Sequence, residues 1–99
     1  MASKNDIRRI QEASNLLKII GNPQRLAILC CLREEKEMSV GEITDFLGLT
    51  QSAVSQHLAK LRDRDLVVAR RDQQTMYYSL SSNEVTEIIK VLRKLYCPS

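Results

Sequence analysis

The stretch TQSAVSQHLAKLRDRDLV, residues 50–67, has the clearest pattern in the sequence. Val54, Leu58 and Leu61 follow one another at spacings of four and three residues, which brings their side chains to one face of a helix. The side chains on the opposite face are polar or small, as expected of a face turned to solvent. The stretch therefore predicts an amphipathic helix with its apolar face toward a core.

A shorter helix precedes this one and is separated from it by a glycine turn. Ser39 and Glu42 have the capping-box spacing that begins a helix, and Gly48 suits the left-handed residue that follows a helix end. Thr50 suits the N-cap of the next helix. Two helices joined by a short turn predict a helix-turn-helix over about residues 39–64. The shorter helix should turn three apolar side chains to the core: Ile43, Phe46 and Leu47.

Helical periodicity also predicts the elements on either side of this motif. We expect a first helix over about residues 6–20, ending with Gly21 in a left-handed conformation. The second helix, about residues 23–35, is apolar all round and should be buried in the centre. A final helix is predicted over about residues 83–96 and should begin with a capping box at Ser81.

The pattern changes from helical to alternating after Asp65. Residues 66–71 and 75–80 are rich in Val, Tyr and Thr, and the polar residues 72–74 separate them, which is typical of a β-hairpin. The predicted fold class is mainly α with a β-hairpin wing. The order is that of a winged helix-turn-helix: four helices, a wing over about residues 66–80, and a final helix.

The composition is that of one small globular domain. The chain has 99 residues and a formal net charge of +3, which is mildly basic. No apolar run approaches the roughly 20 residues of a membrane span, and the N-terminal segment lacks the apolar stretch of a secretory signal. We therefore expect a cytoplasmic protein with no membrane partner. A domain this small buries a modest core, so a homodimer is expected to add stability.

The outer face of the helix in residues 50–62 predicts contact with nucleic acid. It carries short polar side chains and no acidic residue that would repel phosphate. Gln pairs bidentately with adenine, Ser bonds to several base edges, and a helix N-terminus attracts phosphate. The residues alone leave an ordinary polar surface helix as the alternative. The candidate DNA-binding residues on this helix are Thr50, Gln51, Ser52, Ser55, Gln56 and Lys60.

Two arginines precede the tip of the predicted wing. Arg70 and Arg71 would contact phosphates or the minor groove and would position the protein without reading sequence. The alternative is a basic edge strand that guards against aggregation. The single histidine, His57, lies beside the apolar face of its helix and is expected to be a partly buried hydrogen-bonding residue.

The segment 50–67, followed by Arg70-Arg71 and YYSL, resembles the ArsR/SmtB family of winged-helix repressors. The resemblance extends from about residue 16 to residue 97. It implies a homodimer formed by the first and last helices, repression at an inverted-repeat operator in double-stranded DNA, and Ser52, Ser55 and Gln56 in the major groove. Four further stretches are similar to the HlyU/BigR branch: NPQRLAILC (22–30), SVGEI (39–43), QTMYYSL (74–80) and LYC (95–97).

The sequence departs from the family pattern at two places. Many members have Ala-Gly where this chain has Arg64 and Asp65, and Asp tolerates the left-handed conformation better than most residues other than glycine. The loop over residues 33–38 is also about one residue longer than in some relatives. This difference leaves open which of Cys30 and Cys31 matches the cysteine of the branch.

The three cysteines are Cys30, Cys31 and Cys97. This sparse, odd number argues against a structural disulfide framework, and buried free cysteines are commonly plain core residues. The resemblance implies something else: Cys30 and Cys97 linked through a disulfide or polysulfide, in response to a reactive sulfur species or an oxidant. Cys31 is left open as a substitute for Cys30.

Other functions are less well supported by the residues. The short helix has no Cys and the last helix has no His, so the metal motifs of many relatives are absent, and no metal site or cofactor is predicted. A metal-responsive ArsR-type repressor, a regulator with purely structural cysteines and a protein-binding winged helix remain alternatives. An enzyme is not expected, because no nucleophile–base pair or Gly-rich phosphate loop is present.

Overall fold

The computed structural model describes residues 3–97, in which five helices surround a small sheet. The order of helices and strands is that of a winged helix-turn-helix. The elements are α1 (Lys4–Ile20), α2 (Pro23–Glu35), β1 (Met38–Ser39), α3 (Val40–Leu47), α4 (Gln51–Asp63), β2 (Val67–Asp72), β3 (Thr75–Leu80) and α5 (Asn83–Tyr96).

The caps of α3 and α4 are those predicted. The Ser39 hydroxyl accepts the Glu42 N–H at 3.1 Å, and the Glu42 carboxylate accepts the Ser39 N–H at 3.0 Å. Gly48 ends α3 in the left-handed conformation with φ 67°, and the Thr50 hydroxyl accepts the Ala53 N–H at 3.1 Å. These bonds satisfy backbone donors that a helix start leaves unpaired. They also hold the turn between α3 and α4 in a defined shape.

The predicted left-handed conformation of Gly21 is wrong. Its φ is −77°, and its N–H donates to the Leu17 carbonyl oxygen at 2.8 Å. A Cβ at this position would lie 2.8 Å from the same oxygen. Glycine is therefore required here by the close approach of the two backbones, and not by its freedom to adopt positive φ.

The capping box predicted at Ser81 is also wrong. The N-cap of α5 is Ser82, whose hydroxyl accepts the Val85 N–H at 3.2 Å. Ser81 instead donates its hydroxyl to the Asp65 carbonyl at 2.8 Å, where it joins the two ends of the wing. Asp65 has φ 59°, so it adopts the left-handed conformation expected at this position.

The sheet has three antiparallel strands in the order β1-β3-β2, where the sequence predicted only the hairpin. Met38 pairs with Tyr78, and Ser39 pairs with Tyr77. A strand of two residues is too short to show an alternating pattern, and it follows a charged turn. Met38 is nevertheless buried, so the residue that follows this turn belongs to the core.

The core lies where α2, α4 and α5 meet the sheet. Val54, Leu58 and Leu61 are fully buried, as predicted. The buried residues of α2 cover only part of its surface: Ile28, Leu29, Cys31 and Leu32. The prediction for Phe46 is wrong, because its side chain is 72% exposed. Helix α3 has only eight residues, and Ile43 is its one fully buried side chain, so Phe46 lies on the outer edge.

Two helices carry apolar side chains that no other part of the described chain covers. Ile7, Ile10 and Leu17 are each more than half exposed along α1. Helix α5 ends in the same way, with Val91, Leu95 and Tyr96 exposed. Contiguous exposed apolar surface of this kind marks an interaction site. Within residues 3–97, no helix is both long and apolar enough to cross a membrane.

Candidate functional site

Helix α4 presents two faces of opposite character. Its inner face is fully buried through Val54, Leu58 and Leu61. The predicted DNA-contacting residues all lie on the exposed surface: Thr50, Gln51, Ser52, Ser55, Gln56 and Lys60. The buried face fixes the orientation of the helix. The polar face is therefore held outward by a rigid core.

The polar side chains of α4 make few bonds with one another. Gln56 Nε2 donates to the Ser52 hydroxyl at 3.5 Å, the upper limit for a hydrogen bond. Both groups therefore remain free to bond elsewhere. Thr50 differs from them, because its hydroxyl is occupied as the N-cap of the helix. The Thr50 side chain therefore has a structural role as the helix cap, which is separate from the DNA contact predicted for this residue.

The two wing arginines lie in different environments. Arg70 binds the Glu37 carboxylate twice, with Nη2–Oε1 at 2.7 Å and Nε–Oε2 at 3.0 Å, and its guanidinium lies 4.9 Å from the centre of the Tyr77 ring. This hydrogen bonding lowers the pKa of Glu37 and raises that of Arg70. Arg71 is exposed and has no ion-pair partner among residues 3–97. Arg71 is therefore the wing cation whose charge is available to a ligand.

His57 connects α4 to the beginning of α2. Its Nε2 lies 2.6 Å from Gln24 Oε1, an atom that can only accept, so the imidazole N–H donates. Burial lowers the pKa of His57, and the nearby charges of Arg25 and Lys60 lower it further. The prediction of a partly buried, hydrogen-bonded histidine is confirmed.

This environment makes stability depend on pH. The folded pKa of His57 is below its ordinary value of 6.5, so the unfolded chain takes up a proton first as the pH falls. We expect the free energy of unfolding to decrease below about pH 6.5. Urea denaturation at several pH values, compared with His57→Gln, measures this effect. An equal pH dependence in both proteins would contradict it.

The three cysteines are free, and they differ in exposure. Cys31 is buried, Cys30 is half-buried and Cys97 is exposed. Cys30 and Cys97 line the same groove between α2 and α5, which has a volume of about 350 Å³. Cys31 is absent from its lining and borders a second groove, which Cys30 and Arg93 also line. The other residues of the first groove are Leu26, Leu92, Arg93 and Tyr96.

The reactivity of these thiols depends on their surroundings. Burial raises the pKa of Cys30, while the charge of Arg93 acts in the opposite direction. The pKa of Cys31 is also raised by burial and by the neighbouring Cys30. Arg93 Nε forms an ion pair with Glu34 Oε1 at 2.8 Å. In the part of the chain that the structure describes, no three His, Cys, Asp or Glu side chains form a group that could hold a metal ion.

Comparison with known proteins identifies the family. Residues 22–68 match the bacterial regulatory protein, arsR family. The HTH-type transcriptional regulator YgaV of Escherichia coli (strain K12) is 44% identical over 88 residues, which cover 89% of each chain. This chain belongs to the arsR family.

Solved structures of family members have the same fold. Reduced HlyU from Vibrio cholerae N16961 is 46% identical with a TM-score of 0.91, covering 96% of this chain and 99% of that one. The transcriptional repressor BigR from Xylella fastidiosa is 33% identical with a TM-score of 0.86, covering 98% of each chain. The predicted winged helix-turn-helix and the resemblance to the HlyU/BigR branch are confirmed. The chain is a DNA-binding transcriptional regulator of this family.

Sequence reasoning missed three residues near these sites. Glu37 lies in the predicted loop over residues 33–38, and no role was predicted for it, for Glu34 or for Arg93. Arg93 precedes Cys97 by four residues, or about one helical turn, so its spacing was a usable signal. Glu37 and Arg70 are 33 positions apart in the chain, so no local sequence pattern predicts that they pair.

Proposed function

We propose that the protein is a homodimeric repressor that binds an inverted-repeat operator in double-stranded DNA. The observation that carries this proposal is the exposed Ser/Gln face of α4, held outward by a fully buried opposite face. In a helix-turn-helix, the second helix enters the major groove. BigR, a relative of the same fold, is described as a transcriptional repressor.

The uncovered apolar surfaces of α1 and α5 support a dimer. Ile10 and Leu17 on α1, with Leu95 on α5, are each more than half exposed in the single chain. A second copy of the chain would remove these side chains from water, at roughly 25 cal/mol for each Å² buried. The dimer would present two α4 helices to half-sites about 34–36 Å apart, or one turn of DNA.

The proposed contacts divide into two groups. Ser52, Ser55 and Gln56 read base edges in the major groove, where their bonds carry sequence information. Arg71 in the wing contacts phosphate, whereas the Arg70 guanidinium is already paired with Glu37. The remaining phosphate contacts are assigned to Thr50, through its backbone, Gln51 and Lys60.

Substitution of Gln56 by Ala tests the assignment of base reading. We expect Gln56→Ala to weaken operator binding by about 1–3 kcal/mol and to relax base choice, because a bidentate contact is lost. Binding is measured by fluorescence anisotropy on the operator and on a scrambled duplex. Unchanged discrimination between the two duplexes would refute this role of Gln56.

Arg71→Ala is the matched comparison in the same assay. It should weaken binding to both duplexes alike and flatten the dependence of log K on log salt by about one unit, since one phosphate contact is lost. Loss confined to the operator would contradict this role of Arg71. If the unchanged protein does not bind duplex DNA even at low salt, the proposal of DNA binding fails and the protein-binding winged helix replaces it.

We further propose that a linkage between Cys30 and Cys97 switches DNA binding. Both thiols line one groove, while Cys31 is buried outside it, and this arrangement favours Cys30 over Cys31. A direct disulfide needs Cα atoms within roughly 7 Å, and a longer sulfur chain relaxes that limit.

The proposed reaction begins at Cys97, because its thiol is exposed. With a polysulfide RS–Sx–SR, the Cys97 thiolate displaces one RS⁻, and the Cys30 thiolate displaces the second. The sulfur chain then joins the two residues, and the reagent is reduced by two electrons. With hydrogen peroxide, Cys97 becomes a sulfenic acid with release of water, and the Cys30 thiol condenses with it, releasing a second water.

The linkage would act through the dimer. Cys30 belongs to the central helix α2, and Cys97 follows the last residue of α5. Joining them would attach the end of α5 to the core of its own protomer. Because α5 also belongs to the proposed dimer interface, this attachment would change the angle between the two α4 helices. A helix displaced from its groove loses its base contacts.

A further inference from the structure

Arg93 lies next to both cysteines of the proposed switch. It is on α5 one turn before Cys97, whose N–H donates to the Arg93 carbonyl oxygen at 2.8 Å. Its side chain lines the groove shared by Cys30 and Cys97, and it also lines the neighbouring groove beside Cys31. The remaining lining of the shared groove is two leucines and a tyrosine, so Arg93 is its only basic residue.

Glu34 holds this arginine from the opposite helix. Its carboxylate binds Arg93 Nε at 2.8 Å and Arg33 Nη1 at the longer distance of 3.4 Å. Glu34 follows Cys30 by four residues on α2, so the carboxylate and the thiol lie on one face of that helix. The carboxylate binds the Arg93 guanidinium, and the sulfur lines the same groove as Arg93.

We propose that Arg93 is a positioning residue for the switch: its charge favours the anionic form of the Cys30 sulfur beside Cys97, and Glu34 restrains it by binding the same guanidinium. The inference rests on the proposed linkage between the two cysteines. The two members of this ion pair thus have opposite effects on the Cys30 thiolate.

The electrostatics of the groove support these roles. Burial raises the pKa of Cys30, which disfavours the thiolate needed for attack on sulfur. Arg93 makes the largest contribution in the opposite direction, whereas Cys97 and Glu34 raise the pKa. The titratable and charged groups that face Cys30 or line its two grooves are Cys31, Arg33, Glu34 and Glu35 from α2, and Arg93, Tyr96 and Cys97 from the C-terminal end of α5.

The test measures Cys30 reactivity in chains where it is the only thiol. In a Cys31→Ser, Cys97→Ser background, the rate of alkylation by iodoacetamide is followed from about pH 6 to pH 10, which brackets the ordinary thiol pKa. Three variants are compared with this background: Arg93→Gln, Arg93→Lys and Glu34→Gln. We expect Arg93→Gln to raise the pKa of Cys30 and to slow alkylation near neutral pH by about threefold or more.

Glu34→Gln should have the opposite effect, with a lower pKa of Cys30 and faster alkylation. Arg93→Lys should lie between Arg93→Gln and the background, because it keeps the charge without the planar fork. In chains that retain all three cysteines, the rate of polysulfide linkage should follow the same order.

A purely structural role of the Arg93–Glu34 ion pair predicts a different result. Arg93→Gln and Glu34→Gln break the same ion pair, so a contact that only holds α5 to α2 would make both substitutions change the alkylation rate in the same direction. That outcome overturns the proposal, as does equal reactivity of Arg93→Gln and Arg93→Lys. If alkylation shifts in opposite directions but the linked protein still binds the operator, the proposed switch fails while the role of Arg93 is supported.

Discussion

Polysulfide treatment of the reduced protein is expected to lower operator affinity by at least about tenfold, or about 1.4 kcal/mol. The loss should disappear when Cys30 or Cys97 is replaced by serine, because each supplies one end of the linkage. The physical reason is the proposed displacement of α5 in the dimer when its end is tied to α2. Anisotropy measurements on the operator, before and after treatment, give the affinities, and a strong reductant should restore binding.

Cys31→Ser is the matched control, since Cys31 is buried and lies outside the shared groove. It should respond to polysulfide as the unchanged protein does. Peptide mass spectrometry identifies the linked residues, and repetition with peroxide separates reactive sulfur from general oxidants. A linkage through Cys31 would refute the assignment of Cys30.

Indifference to both reagents would show that the cysteines have only a packing role. Titration with zinc or cadmium provides the comparison with a metal sensor. Release of operator DNA at one metal ion per protomer would replace the thiol proposal with the metal alternative.

Leu58→Ala should lower the free energy of unfolding by about 2–5 kcal/mol. Leu58 is fully buried, so truncation removes transfer free energy and leaves a cavity beneath the polar face of α4. Small domains have a total stability of about 5–15 kcal/mol, and the change is therefore a large part of it. Urea denaturation monitored by circular dichroism, at fixed protein concentration because of the proposed dimer, measures the loss.

Ser55→Ala changes the exposed face of the same helix and serves as the comparison. It should alter the free energy of unfolding by less than about 0.5 kcal/mol, yet weaken operator binding. The two substitutions thus separate the role of the core face from that of the polar face. A Leu58→Ala protein as stable as the unchanged chain would mean that α4 is not held by its buried face.

Sequence patterns predicted the elements that local physics determines. The apolar spacing of α4, the capping box at Ser39 and the left-handed Gly48 each depend on residues within one or two turns of helix. The errors arose where the structure depends on distant or competing groups. Ser81 and Ser82 are both suitable caps, and the choice between them depends on the bond from Ser81 to Asp65 across the base of the wing.

The same distinction applies to the candidate site. Exposure of the polar face of α4 followed from its helical period. The ion pair between Arg70 and Glu37 did not follow from any period, because Glu37 is brought close to Arg70 by strand β1, which was not predicted. The shared groove of Cys30 and Cys97 was implied by family resemblance, and no spacing of residues predicts it. Phe46 remained exposed because a helix of two turns has room for few inward side chains.

The two-residue strand β1 has a mechanical consequence. It pairs with β3 and runs directly into α3, so the wing and the beginning of the helix-turn-helix are bonded to each other. The ion pair between Glu37 and Arg70 adds a second connection between the start of β1 and the wing. The strand pairing and the ion pair therefore couple the wing to the helix-turn-helix. In the proposed dimer, a signal would therefore tilt the wing and the helix-turn-helix together, relative to the interface formed by α1 and α5.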